Sequence, residues 1–534
     1  MEFPWYKHYP KHVPKSLEYP ERSLFENLKI SAKKFPENYA VVYKDFPYTY
    51  EKLLELSNKF ANFLLSFGIK KGDRVALYLP NIPQFVIAYY GALAAGGVVV
   101  ACNALYKEKE VEYIISDSQA KVVVTLDDMR EVVENVREST EVEEIISTSR
   151  SEALNGFTSG RFSELLKEQP AEDPGVKVNP KEDLAVLQYT GGTTGKPKGA
   201  MLTHYNLLVI QVMEALWFEF EEGKEVSIIF LPLSHIYGMN WCMNTMIYSA
   251  GTIVLMERFE PKEVIENVNK YKPTIFYGVP TIYIALLNHP EIKNADFSKM
   301  RTCFSAAAPL PPEVRRKWKE VTKAEIIEAW GLTEASPCLT CTPLGMSGDH
   351  LIGVPMPDTV VKVVDLDTGR ELPPGEVGEL VAKGPQIMKG YWNKPKETEE
   401  ALKDGWLRTG DLGYMDENGL FYYVDRVKDL INVAGYKVWP DEVENVIYEH
   451  PAVLECAVVS SPDEIKGEVP KAFIVLKEQF KGKVSAEEIV EYCKRKLAPF
   501  KVPKKVEFVD ELPKSPVGKI LRRILREREW KNAG

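Results

Sequence analysis

An α/β fold built on several sheets and followed by a smaller α+β domain is what this sequence predicts. Three observations carry the prediction. Apolar strand-like runs alternate with amphipathic helical segments through the first two thirds of the chain, the pattern of βαβ units and largely parallel sheets. The texture changes at 360–391, where short β-rich runs are broken by turn sequences at 365–369 and 373–378; this marks a smaller β subdomain. Beyond residue 428 the pattern starts anew with helix, strands and helix.

Taken in order, residues 74–79 read as a strand and a helix begins at Pro83, where proline suits the first helical turn. Residues 120–126 read as the next strand, and the apolar run 184–187 as a buried one. Two uncharged stretches, 85–106 and 226–256, are long enough to cross a bilayer. Gly91, Gly96, Gly97 and Asn103 interrupt the first, and Pro232, His235, Asn240 and Asn244 the second. Both are therefore read as buried helix plus strand, which are also near-continuously apolar. In the last part a helix over 437–450 starts after Pro440, with Asp441 and Glu442 in its first turn. Strands follow at 452–459 and 471–476, then a helix at 485–497. The boundary is placed at Val427/Lys428, giving domains 1–427 and 428–534.

A chain of 534 residues exceeds what one core supports. Its 45% hydrophobic and 27% charged residues suit a globular protein, and a net charge of −10 argues against a nucleic-acid partner. The opening MEFPWYKHYPKHVPK has no apolar signal region, and KNAG at the other end is no peroxisomal or retention tail. A cytoplasmic protein with no membrane span is expected. The odd number of cysteines, 7, suggests reduced thiols. Cys338 and Cys341 form a CxxC with no second pair nearby, so both are read as core residues.

The stretch YTGGTTGKPK at 189–198 follows the strand at 184–187. Glycines Gly191, Gly192 and Gly195 permit turns in which successive N–H groups converge on an anion. Thr190, Thr193 and Thr194 add hydroxyl donors, and Lys196 and Lys198 add positive charge. The stretch reads as a loop for a nucleotide's phosphates, although a plain surface loop has similar composition. It is not a Walker A loop, because Lys196 is followed by Pro197 rather than Ser or Thr.

Extended to YTGGTTGKPKGAMLTH at 189–204, the string resembles the signature of the AMP-forming adenylating superfamily of acyl-CoA synthetases, luciferases and peptide-synthetase adenylation domains. Further blocks follow in that family's order: LPLSHIYG at 231–238, SAAAPL at 305–310, AWGLTEASP at 329–337, GWLRTGDLG at 405–413, VDRVKDLINVAGYKVWP at 424–440 and PKSPVGKILRR at 513–523. The resemblance implies two α/β sheet subdomains and a distorted β-barrel subdomain, then a small mobile α+β domain. It also implies ATP, Mg²⁺ and coenzyme A as cofactors. Residue by residue, Thr190, Thr193 and Thr194, with Gly191, Gly192, Gly195 and Lys198, would hold phosphate. Thr333 would touch the α-phosphate, and Glu334, with Thr190, the metal. Trp330, where many members have Tyr, would stack on adenine beside Gly331, with Ala306, Ala307 and Ala308 leaving room for base and acyl group. Asp411 and Arg426 would contact ribose. His235 would gate or orient the carboxylate, and Lys519 would bridge it to the α-phosphate. Lys428 corresponds to the hinge about which the small domain turns, bringing Gly435 and Tyr436 toward CoA.

Each residue also has a plain reading: a core histidine or tryptophan, a solvated surface acid, a basic helix face at the C-terminal end. The candidate acyl pocket, Tyr237, Met239, Trp241, Tyr277, Gly278 and Val279, is apolar or aromatic and carries no carboxylate for an amino-acid ammonium. With the opening PWYKHYPKHVP, this resembles the medium- and long-chain fatty acid–CoA ligase branch. An aryl-acid ligase of the coumarate type is the alternative, a luciferase-like oxidase a more distant one. Peripheral membrane contact and a homodimer are compatible with either ligase.

Overall fold

The computed structural model of the chain describes residues 2–190, 197–463, 465–515 and 518–532, with Asn532 described by its backbone only. Gly191, Gly192, Thr193, Thr194 and Gly195, expected to cradle phosphate, lie outside the described residues.

Two large sheets dominate. The first has six strands in the order Glu144–Thr148, Ala120–Leu126, Arg74–Tyr78, Val98–Cys102, Leu184–Thr190 and Lys198–Thr203. All neighbours are parallel except the last pair, which is antiparallel with Thr190 opposite Lys198. The second contains a parallel half, whose strands Thr252–Leu255, Val226–Ile229, Ile275–Gly278, Thr302–Ser305 and Ile326–Gly331 lie side by side. Beyond Ile326–Gly331 the same sheet turns antiparallel through Cys338–Cys341, Leu351–Pro355, Phe421–Arg426, Trp406–Met415, Gly378–Lys383 and Val360–Val364. The β subdomain expected at 360–391 is this antiparallel half, hydrogen-bonded into the parallel one.

Both long apolar stretches are helix plus strand. Helix Pro83–Ala94 and strand Val98–Cys102 are buried along their whole length. No helix among the described residues is long and apolar enough to cross a membrane. One apolar cluster joins the facing sides of the two sheets, from Leu77 and Val99 to Ile228, Phe276 and Phe304. Each such fully buried side chain contributes about 1.5–3 kcal/mol. All seven cysteines are buried and free, Cys338 and Cys341 included.

The last part is an α+β unit with two small cores of its own, one on each face of a five-stranded sheet. Its helix Pro440–Tyr448 carries Asp441 and Glu442 in the first turn as expected, and helix Ala486–Lys494 is capped by the Ser485 side chain. Strand Gly467–Leu476 starts earlier than the hydrophobic pattern indicates, because residues 467–470 pair with the far end of Val453–Asp463. Phe421–Arg426 is the last strand of the large sheet and Ile431–Val433 the first of the small one.

Candidate active site

Parallel strands deliver loops at their carboxyl ends, where ligands of open α/β sheets bind. Here Tyr277 and Gly278 end one strand, Ser305 ends its neighbour just before Ala306, Ala307 and Ala308, and Trp330 and Gly331 end the next, just before Thr333 and Glu334. Three sequence blocks far apart in the chain therefore share one edge of one sheet. Gly331 is required there: a Cβ would lie 1.9 Å from the Pro337 carbonyl oxygen. Ala307 adopts a left-handed conformation, φ 68°, which costs an alanine about 1–2 kcal/mol. Ala306, Ala307, Ala308, Thr333 and Glu334 are all half-buried.

The Asp411–Arg426 pair comes from the antiparallel half. The two residues are directly opposed across strands Trp406–Met415 and Phe421–Arg426. Arg426 Nε lies 3.2 Å from Asp411 Oδ1, yet among the described residues that buried oxygen accepts no aligned hydrogen bond. Asp411 Oδ2 accepts from Trp330 Nε1 at 2.9 Å. Trp330 is thus no free aromatic plate: its indole is tied to the acid expected to bind ribose. A buried acceptor held by an ion pair without an aligned hydrogen bond has room for a further donor.

Lys519 reaches this group from the small domain. Its turn is closed by Lys519 N donating to Ser515 Oγ at 3.1 Å and Ser515 N to the Lys519 carbonyl at 2.7 Å. The turn docks on the helix after Gly278, where Thr281 Oγ1 donates to the Gly518 carbonyl at 3.0 Å. Gly518 has φ 80°, and a Cβ there would lie 2.9 Å from Thr281 Oγ1 and 3.4 Å from Val279 Cγ2. The Arg426 guanidinium, then burial, pull the Lys519 ammonium down to about 7. His235 stands near enough for Lys519 to affect it; burial first, and that ammonium second, lower its pKa to about 4. It is therefore neutral at pH 7, and its Nδ1 accepts from Tyr237 N at 3.2 Å.

On the other flank Lys198 and Thr190 begin and end the two strands bordering the undescribed loop residues. The signature string continues structurally: Thr203 caps helix His204–Trp217, and buried His204 accepts from Leu24 N. Glu334 Oε1 accepts from the Tyr391 hydroxyl at 2.6 Å. Burial and that carboxylate push the Tyr391 phenol well above its ordinary value, so it remains the donor.

The expected acyl-pocket residues are all buried. Tyr237, Tyr277 and Phe304 form an aromatic group, with Tyr277 stacked on Phe304 at 5.3 Å and Trp241 edge-on to Phe304 at 5.9 Å. Tyr237 and Trp241 lie on one π-helical segment, Tyr237–Asn244, of a kind frequent at functional sites. Met239 lies between them on the same segment and is fully buried. Gly238 lets the segment approach Pro232, whose carbonyl oxygen a Cβ would meet at 2.3 Å.

Lys428 is exposed, and burial together with the cations Lys198, Arg426 and Arg526 lowers its pKa. Gly435 and Tyr436 occupy an outer hairpin of the small sheet. Tyr436 is 60% exposed and stacked on Phe500. Among the described residues no hydrogen bond or ion pair joins Gly435 or Tyr436 to Lys519, and these two are not gathered with it here. Sequence reasoning passed over Tyr391, Thr281 and Glu214, and read Arg522 as part of a basic, solvated helix face. A lone acid in the apolar run HYNLLVIQVMEALW was a visible signal for Glu214; the others are ordinary surface residue types whose role depends on long-range contact.

The family description "AMP-binding enzyme" matches residues 28–392 and "AMP-binding enzyme C-terminal domain" matches 442–519. The chain belongs to the AMP-binding enzyme family. A long-chain-fatty-acid–CoA ligase of Bacillus subtilis is 42% identical over 553 residues, covering 99% of this AMP-binding enzyme and 98% of the relative. Among solved structures, ATP-bound MatB from Rhodopseudomonas palustris superposes with a TM-score of 0.88 at 30% identity, covering 95% of this chain and 99% of that one. The anthranilate CoA ligase AuaEII in complex with anthranoyl-AMP gives 0.89 at 28%, covering 97% and 99%.

Proposed function

We propose that this AMP-binding enzyme activates a medium- or long-chain fatty acid, using ATP to form acyl-AMP and pyrophosphate, then passes the acyl group to CoA, releasing AMP. The observation that carries the reading is the convergence of Lys519, Arg426, Asp411 and neutral His235 beside the strand ends that bear Trp330 and Glu334. The fatty-acid–CoA ligase from Bacillus subtilis supports the substrate class.

In the first step a carboxylate oxygen of the acid bonds to the α-phosphorus, and the bond to pyrophosphate breaks. Two anions meet, so catalysis is positioning and charge neutralisation. Lys519 lies between the two charges, and neutral His235 orients the carboxylate. Thr190, Thr193, Thr194, Lys198 and the glycines between them hold phosphate, with Thr333 on the α-phosphate. The unsatisfied Asp411 Oδ1 accepts from ribose, Arg426 assists, and Trp330 with Ala306–Ala308 flanks the base. A Mg²⁺ ion fits the donor set at Glu334, a hard oxygen ligand with Oε1 held by Tyr391. When bound, it neutralises charge on the phosphates. In the second step the CoA sulfur bonds to the acyl carbon, AMP leaves, and the thiol proton passes to solvent. Rotation about Lys428, at the junction Val427/Lys428, withdraws Lys519 and presents Gly435 and Tyr436. The alkyl chain lies against Tyr237, Met239, Trp241, Tyr277, Gly278 and Val279. Buried, free thiols suit a cytoplasmic enzyme.

The test is pyrophosphate release across acids from acetate to oleate plus coumarate, each with and without CoA. CoA-dependent turnover peaking at a fatty acid is expected. Turnover only with coumarate would move the enzyme to aryl acids, and none with any acid would overturn the reading.

A further inference from the structure

The segment 388–392 runs beside the strand Lys198–Thr203. Met201 N donates to the Gly390 carbonyl at 2.8 Å, Lys389 N to the Met201 carbonyl at 3.0 Å, and Trp392 N to the Gly199 carbonyl at 2.8 Å. At its start, Met388 N donates to the Glu334 carbonyl at 2.9 Å. It is therefore stitched by backbone to both the phosphate-loop strand and the Glu334 turn. Tyr391 sits at the centre of the stitch. Its N–H donates to Thr398 Oγ1 at 2.9 Å, fixing the backbone. Its hydroxyl donates to Glu334 Oε1 at 2.6 Å, and the Lys198 ammonium lies 4.2 Å from its ring centroid.

We propose that Tyr391 is a positioning residue for nucleotide-bound metal, holding Glu334 and Lys198 in register on opposite flanks of the triphosphate. The inference rests on the proposed adenylation site and deepens it. One hydrogen bond holds Glu334 Oε1, so Oε2 is the oxygen that would be left for a metal. The ring face holds the Lys198 ammonium by cation–π attraction instead of letting it pair with Glu334, which would neutralise both groups. Outer partners of metal-ligating carboxylates commonly set metal affinity by 10–100-fold when removed.

The experiment is a Mn²⁺ titration of the full-length enzyme with a non-hydrolysable ATP analogue, following free Mn²⁺ by electron paramagnetic resonance. Tyr391→Phe keeps the ring under Lys198 and removes only the hydroxyl. Its Mn²⁺ affinity is expected to fall about tenfold. In a Glu334→Gln background the same change is expected to have no further effect, because the hydroxyl acts through that carboxylate. Tyr391→Leu, which also removes the ring, is expected to weaken analogue binding without metal, whereas Tyr391→Phe leaves it as in the parent. Wild-type Mn²⁺ affinity in a folded Tyr391→Phe overturns the proposal, as does an equal loss in the Glu334→Gln background. Failure of the parent enzyme to bind the analogue would instead overturn the nucleotide-site reading itself.

Discussion

The contact between the two large sheets and the contact between the large and small domains are made of different matter. Between the sheets a single apolar cluster runs without a break. Within it the acid Glu214 is fully buried and accepts from the Thr245 and Tyr277 hydroxyls at 2.8 and 2.9 Å. The domain contact is a network of charges. Arg522 of the small domain reaches Asp425 of the large sheet at 3.2 Å and, within its own domain, Glu444 at 2.9 Å and Asp441 at 3.5 Å. His350 of the large domain lies 3.1 Å from Asp441 and 3.0 Å from Asn445. An apolar contact cannot open without exposing its surface to water. Charged groups can exchange one another for water at small net cost, so a polar domain contact is the one that can move.

The largest expected effect follows from the group that crosses this polar contact. Lys519→Ala should slow adenylation, read as pyrophosphate release, by about 10²–10³-fold. Thioester formation from supplied acyl-AMP should survive, because the proposed rotation withdraws Lys519 before that step. Loss of both half-reactions would show that the two domains keep one arrangement throughout.

Arg522→Gln should act in the same direction more weakly. It leaves Lys519 in the chain but removes the cation that ties its turn to Asp425, and a shift of about 1 Å costs on the order of 10²-fold. Adenylation should fall and thioester formation should not. An equal fall in both would make Arg522 a fold residue of the small domain alone.

The apolar contact should respond through stability. Glu214→Ala should cost about 1–3 kcal/mol in urea unfolding, since the buried Tyr277 hydroxyl loses its acceptor and Thr245 keeps only the Asn240 carbonyl. Burial raises the Glu214 pKa well above 4.5. The folded state therefore holds a proton that the unfolded state releases, and stability should fall as pH rises above 4.5, by at most about 1.4 kcal/mol per pH unit. Glu214→Gln should remove that slope. An unchanged slope would mean that the carboxylate is charged inside the core.

The smallest effect is a proton count. Lys519 is held to about 7 beside Arg426, and a triphosphate would restore its charge. ATP binding near pH 8 should take up a fraction of a proton, seen as a buffer-dependent calorimetric enthalpy and absent in Lys519→Ala. Buffer-independent heat in the parent would place Lys519 away from the phosphates.

Much of this was legible in sequence, because it depends on local order. Alternating apolar runs fixed the α/β layers, Pro440 with its two acids fixed a helix start, and Thr190 through Lys198 read as a phosphate loop after a strand by its glycines. The motif blocks named Glu334, Asp411, Arg426 and Lys519 as a set. What sequence could not contain is contact across long separations, which only packing decides. The indole of Trp330 is committed to Asp411. Tyr391 grips Glu334 although neither residue type is unusual where it stands. The depressed pKa of Lys519 likewise exists only because folding sets it against Arg426, a guanidinium that no local pattern around residue 519 foretells.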